Sequence, residues 1–244
     1  NEIMRRSAVI FAGGKGTRLA PFTFVLPKPL MPVGDLPIIE IVMRQLKRHE
    51  FADVTLAVGH LASLIRAYFD GHPLASHVDL KYFQESQPLG TVGALGIMPP
   101  FTTPFLAMNG DILTTLDYGE MFDFHVASGA ALTVAVTKKQ VKIELGVLDL
   151  DSRGLIVGYN EKPTKEYPAS MGIYVYDPKV LAYIDPGKYL DVPNLVLKLI
   201  AAGEKVQAYV PDCFWLDMGN RDDYERATSE FEARRAQFLP GDAG

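Results

Sequence analysis

The chain has 244 residues, 48% of them hydrophobic and 22% charged, which suits one α/β domain with a sizeable core, or such a domain with a small appendage. A net charge of -5 and the absence of any long Lys and Arg run argue against a broad nucleic-acid surface, so an anion site has to be local. The single cysteine, Cys213, excludes an internal disulfide and thiolate metal clusters, and no run of about 18 apolar residues suits a membrane span.

In chain order, the apolar run Ala8 to Ala12 predicts a buried strand. Pro37 to Arg48 sets Ile38, Ile41, Val42 and Leu46 on one helical face, with Pro37 near its start. Val54 to Val58 reads as a strand, Leu61 to Phe69 as a helix, Val78 to Phe83 as a strand, and Phe105 to Met108 as a short strand ending at Asn109-Gly110-Asp111. This βαβ rhythm implies a layered sheet with helices on both faces. The middle changes character, with strands expected at Ala131 to Thr137, Gly146 to Leu150, Leu155 to Tyr159 and Gly172 to Tyr176 and few helices between them. Val192 to Ala202 and Arg221 to Arg235 read as helices, and no repeat or linker interrupts the chain. A single catalytic domain over residues 1–244 is expected, and the lack of a signal-peptide pattern suggests a soluble cytoplasmic protein.

The glycine-rich segment Ala12-Gly13-Gly14-Lys15-Gly16-Thr17-Arg18 follows the first strand, where the carboxyl ends of strands open into a ligand crevice. It fits neither G-x-G-x-x-G, since Leu19 stands in place of the third glycine, nor the P-loop spacing. Further on comes Leu26-Pro27-Lys28-Pro29-Leu30, which fixes a lysine between two prolines. In this pairing of G-G-x-G-T-R-L with P-K-P-L the chain resembles the sugar-1-phosphate nucleotidyltransferases. Later segments agree: Leu89-Gly90-Thr91-Val92-Gly93-Ala94-Leu95, with Val92 in place of the usual alanine, Asn109-Gly110-Asp111, Glu161-Lys162-Pro163 and Trp215-Leu216-Asp217-Met218-Gly219.

The resemblance implies a three-layer Rossmann-like fold with a mixed central sheet and a small β-rich subregion for the sugar. It also implies an Mg²⁺-dependent reaction between a nucleoside triphosphate and a sugar-1-phosphate. Asp111 and Asp217 are the implied metal ligands, as two carboxylates suit a hard cation. Arg18, Lys28 and Lys162 are the implied catalytic cations: the first two for pyrophosphate, the third for the sugar phosphate and the α-phosphate. Ala12, Gly13, Gly14, Gly16, Thr17, Glu85, Gly90 and Thr91 would hold the nucleotide, and Asn109, Gly146, Glu161, Lys162, Ser170 and Gly172 the sugar. The sugar half departs from the family, with Ser170-Met171-Gly172 for the common Asn-Ala-Gly and Leu145-Gly146 for an aromatic-Gly pair.

Glu85 stands where relatives that use thymidine or uridine nucleotides often carry Gln. A carboxylate accepts only, which suits the two adjacent donors of guanine, so GTP is favoured over UTP or dTTP. Two rivals exist. A catalytically inactive nucleotide-sugar sensor should have lost some of these charged residues, all of which are present, and a glycosyltransferase should carry a D-x-D motif that Asn109-Gly110-Asp111 only half matches. The five histidines show no metal spacing and are assigned surface or capping roles. Neither nucleic acid nor membrane is an expected partner, and homo-oligomers are left open.

Overall fold

A computed structural model describes residues 5–241. β1 (Arg6–Ala12) leads through a glycine loop and short 3-10 turns to the small ribbon β2 (Pro32–Val33) and β3 (Leu36–Pro37), then to α1 (Ile38–Arg48). The alternation continues through β4 (Phe51–Val58), α2 (Ala62–Phe69), β5 (Asp79–Gln84), α3 (Gly90–Leu95) and β6 (Phe105–Asn109). β7 (Ile112–Thr114) and α4 (Tyr118–Ser128) precede the strand-rich middle, β8 (Leu132–Lys142), β9 (Val147–Leu150), β10 (Ile156–Asn160) and β11 (Thr164–Tyr176). α5 (Val192–Ala201), β12 (Val206–Tyr209), β13 (Trp215–Asp217), α6 (Arg221–Ala233) and the short α7 (Arg235–Phe238) follow.

Seven strands form the central sheet in the order β12-β8-β11-β6-β1-β4-β5. β11 pairs antiparallel with both β6 and β8, whereas β1 with β4, β1 with β6, β4 with β5 and β12 with β8 are parallel. Only β11 therefore runs against the rest. The result is the mixed, three-layer Rossmann-like architecture.

Strand alternation distributes the core. Ala8, Ile10 and Ala12 of β1 pack into the cluster shared with α1, α2 and α4, while Val9 faces the opposite cluster with α3 and α5. A parallel strand covered on both faces has no polar side to show, which is why β1 reads as an unbroken apolar run. A third, smaller core joins Ile38, Ile41, Leu113, Leu216, Met218, Phe231 and Phe238, so that α6 and α7 close over the β7–β13 ribbon. That ribbon ends in Asp217 and is directly preceded by Asp111.

Two of the four strands expected in the middle, Ala131 to Thr137 and Gly172 to Tyr176, were too short, whereas those at Gly146 to Leu150 and Leu155 to Tyr159 match β9 and β10 to within a residue at each end. β8 and β11 continue past the sheet as an antiparallel arm, with Thr164 opposite Lys142 and Ser170 opposite Val136. Their outer halves are exposed, so they carry no apolar alternation to betray them. β9 and β10 pair beside them as a separate ribbon. α4 is an element without a sequence prediction, although Asp117 caps it by accepting from the Glu120 amide at 2.8 Å and Gly129 ends it in the left-handed region. Among the described residues no helix is long and apolar enough to cross a membrane.

Candidate active site

The carboxyl ends of β1, β4 and β6 open into a crevice of about 640 Å³. Its walls include Ala12, Gly13, Gly14, Gly16, Thr17 and Arg18 from the glycine loop, Lys28, Glu85, Gly90, Thr91, Asn109 and Asp111. The structure thus gathers every expected nucleotide residue, both cations expected to meet pyrophosphate and one of the two expected metal ligands around one cavity. The parallel strands explain the convergence, because their loops all leave the same edge of the sheet.

The loop is held by specific contacts. Gly16 adopts φ +59°, and an added Cβ would lie 2.8 Å from Thr23 Cγ2, so a side chain is excluded both by conformation and by space. Gly90 sits at φ +75° with room for a Cβ taken by Leu190 O at 2.6 Å. Gly93 meets Lys188 O at 2.7 Å in the same way, and its amide donates to Leu190 O at 3.0 Å. Gly93 does not line the crevice, and its small size admits the 188–190 backbone. Gly90 does both, packing on Leu190 and lining the crevice.

Asp217, on β13, does not line the crevice but lies beside Gly219, which does. Its strand pairs with β7, placing Asp217 opposite Ile112, and the Met218 amide donates to Asp111 O at 3.1 Å. Burial, and next the charge of Asp111, push the Asp217 carboxyl above the usual carboxylate range, while Lys28 and Arg18 pull the other way. An ideal Cβ on Gly219 would lie 3.3 Å from Asp217 Oδ1 and 3.6 Å from Arg18 Nη1, so guanidinium and carboxylate converge on that glycine. Lys28 Nζ makes an ion pair with Asp111 Oδ2 in a half-buried setting. Two carboxylates whose charges oppose one another in a half-buried site form a donor set that fits a hard divalent cation. Among the described residues no cluster of three or more His, Cys, Asp or Glu could hold a metal, so the protein offers a pair of carboxylates rather than a cage.

The sugar-side residues are arranged differently. Gly172 takes φ +73° at a register shift of β11, its absent Cβ lying 2.8 Å from Asn109 Nδ2, which joins these two expected sugar residues. Ser170 Oγ accepts from the Gly172 amide at 3.2 Å and bonds the Tyr174 hydroxyl at 3.0 Å, so it shapes this turn. Glu161 and Lys162 are exposed at the start of the arm, and Gly146, Glu161, Lys162, Ser170 and Gly172 do not line the crevice. Lys162 holds φ +45°, a costly conformation for a residue that is not glycine, immediately before Pro163. Tyr159 crosses Gly146, leaving no space there for a Cβ, and its hydroxyl donates to Glu161 Oε2 at 3.0 Å.

Several crevice residues escape the sequence reading. Phe11, Lys15, Gly59, His60 and Gln87 also line the cavity. Gly59 and His60 follow β4 as the glycine loop follows β1, so the rule that placed the first loop could have found them. His60 thus departs from the surface role expected for histidines, and His125 departs by burial, bonding Thr133 Oγ1 at 2.8 Å. His72 does cap, accepting from the Leu74 amide at 3.2 Å. Glu85, on the crevice wall, accepts from the Leu89 amide through Oε2 at 3.1 Å.

A sequence profile of the family described as nucleotidyl transferase matches residues 7–234. A UTP–glucose-1-phosphate uridylyltransferase of Synechocystis is 33% identical over 242 residues, covering 90% of this chain and 62% of the relative. A mannose-1-phosphate guanylyltransferase of Mycobacterium tuberculosis is 31% identical over 232 residues, covering 91% and 64%. The chain therefore spans less than two thirds of these relatives. A crystal structure of a Bacillus anthracis protein proposed to be a glucose-1-phosphate thymidylyltransferase superposes with a TM-score of 0.75 at 24% identity, covering 98% of this chain and 97% of that one. At that identity the likeness speaks for the fold.

Proposed function

The chain belongs to the nucleotidyl transferase family, and from that premise we propose that it transfers a nucleoside monophosphate from a nucleoside triphosphate to a sugar-1-phosphate, releasing pyrophosphate. The observation that carries this reading is the crevice at the strand ends, where a glycine loop, Arg18, Lys28 and Asp111 line one cavity and Asp217 approaches its edge at Gly219.

The chemistry needs positioning and charge more than a general base. A sugar-1-phosphate oxygen is already anionic at neutral pH and attacks the α-phosphorus. The new P–O bond forms as the bond to the β-phosphate oxygen breaks, and the electron pair leaves with pyrophosphate. Arg18 and Lys28 meet the negative charge that grows on the leaving group, and Lys162 draws the sugar phosphate toward the α-phosphate. Asp111 and Asp217 would hold Mg²⁺, whose contribution when bound is to neutralise phosphate oxygens and align attacking and leaving groups. Glu161, oriented by Tyr159, would accept from sugar hydroxyls, and Asn109 and Gly172 would shape the wall beside them.

GTP is the favoured donor, supported by an acceptor-only carboxylate at Glu85 on the crevice wall and by the guanylyltransferase among the relatives. UTP or dTTP is the alternative, favoured by the uridylyltransferase relative. The test is to incubate the protein with Mg²⁺, each common nucleoside triphosphate and a panel of hexose-1-phosphates, and to measure pyrophosphate release. Release that requires both substrates, fastest with GTP, is expected. No release with any pair overturns the reaction, and a preference for UTP or dTTP overturns only the base.

A further inference from the structure

The glycine loop is braced from beneath by two residues outside its motif. Thr23 is 1% exposed, and its Oγ1 donates to Gly16 O at 2.8 Å, the same carbonyl that accepts the Leu19 amide at 2.9 Å. His60 Nε2 lies 3.1 Å from Thr23 O, so the ring nitrogen is the donor of that bond. The His60 amide points at Gly13 O, at 3.4 Å, and a Cβ on Gly59 would lie 2.8 Å from that oxygen. A chain of contacts thus runs from the end of β4 through His60 and Thr23 to the bend of the loop at Gly16.

The electrostatic consequence concerns carbonyls. A loop that receives a triphosphate has to present amides, because a carbonyl oxygen turned toward phosphate oxygens repels them. Here the Gly13 and Gly16 carbonyls are engaged by donors of the protein, and Gly16 is fixed in the left-handed conformation with Thr23 Cγ2 filling the space below it. We propose that Thr23 and His60 form a positioning bracket that presets the glycine loop for the polyphosphate of the nucleotide. Neither residue takes part in the chemical step. The bracket rests on the reading that this crevice receives a nucleoside triphosphate.

Thr23→Val keeps the shape and the Cγ2 contact but removes the donor, and Thr23→Ser keeps the donor. His60→Leu removes the second bond, and His60→Gln restores an N–H near the position of Nε2. Binding of Mg²⁺–GTP, Mg²⁺–UTP and Mg²⁺–dTTP is measured by calorimetry without acceptor, and Michaelis constants for both substrates are measured in turnover. Thr23→Val is expected to weaken the bound nucleotide about tenfold, equivalent to about 1.4 kcal/mol, and His60→Leu about fivefold. Thr23→Ser and His60→Gln should recover most of that loss, the acceptor Michaelis constant should stay within about twofold, and the double variant should lose less than the sum. Faster amide exchange across residues 13–19 in Thr23→Val, with an unchanged melting temperature, separates a loosened loop from a loosened protein. Should Thr23→Val not fold, Thr23→Ser against His60→Leu carries the same comparison. Parent-like nucleotide affinity in Thr23→Val and His60→Leu, or equal losses for both substrates, overturns the bracket alone. Failure of the parent to bind any of the three nucleotides sinks the functional reading, and the bracket with it.

Discussion

β11 is two strands in one. Ser170–Tyr176 is largely buried between two helical layers, with Ile173 and Val175 facing one core and Tyr174 and Tyr176 the other. Thr164–Ala169 leaves the sheet, pairs only with the outer half of β8, and is mostly exposed. The ribbon beside it is equally open: Ile156 is 64% exposed and Val157 67%. The crevice belongs to the first regime and the arm with Glu161 and Lys162 to the second. Residues of the buried half hold fold and site geometry together, so substitution there disturbs both. Substitution of exposed residues in the arm is expected to change stability little.

The largest expected effect lies on the buried side of this division, at the crevice. Asp111→Asn and Asp217→Asn remove charge at almost constant size, and each should cut turnover about a thousandfold or more, roughly 4 kcal/mol of barrier. Circular dichroism and melting should remain close to the parent, since relief of the opposed charges offsets any lost contact. If both variants turn over normally, the carboxylate pair does not serve the reaction.

The next test sets the two halves of the middle region side by side. Ile173 is fully buried, and Ile173→Ala should lower stability by about 2–4 kcal/mol in denaturant unfolding. Val157→Ala on the exposed ribbon should change it by less than about 0.5 kcal/mol. Comparable losses at the two positions would mean that the ribbon is packed in solution.

Lys162→Ala sharpens the comparison from the functional side. The arm residue should leave melting unchanged, yet raise the Michaelis constant for sugar-1-phosphate and lower the turnover number, for a loss of about thirtyfold in kcat/KM or about 2 kcal/mol. Arg18→Ala on the crevice wall should act chiefly through the triphosphate. Identical effects of the two variants on both substrates would remove the division between donor and acceptor sides.

A pH dependence is expected at the buried contact of α4 with the inner half of β8, where His125 meets Thr133. Burial pushes His125 down to about 4, against an ordinary value of about 6.5. Between these values the unfolded chain binds a proton that the folded chain excludes, so stability is complete above about pH 6.5 and is lost as pH falls toward 4. His125→Gln should flatten this part of the stability profile measured by denaturant midpoints from pH 4 to 7. A slope identical to the parent would exclude His125 as its source.

What was legible in the sequence follows from the range of the forces involved. Strands β1, β4 and β6 were visible because burial on both faces forces apolar residues at consecutive positions, and α1 because one buried face repeats every helical turn. The glycine loop and Asn109 to Asp111 could be read as crevice residues because each directly follows such a strand, and the roles expected of the crevice residues came from the resemblance of whole motifs. The outer halves of β8 and β11 could not be read, since backbone pairing between two solvated segments leaves no hydrophobic pattern. Nor could the partners of Thr23, His60, Gly93 and Asp217. The bond from Thr23 to Gly16, the approach of the 188–190 backbone to Gly93 and the meeting of Asp111 with Asp217 join residues 7, about 95 and 106 positions apart. The two long separations depend on strand order and crossing geometry, and the short one on how the loop between β1 and β2 folds back on itself. The residue types along the chain therefore determined which chemistry was available, and only the packing of β4, β7 and β13 around the glycine loop decided which of those groups face one another.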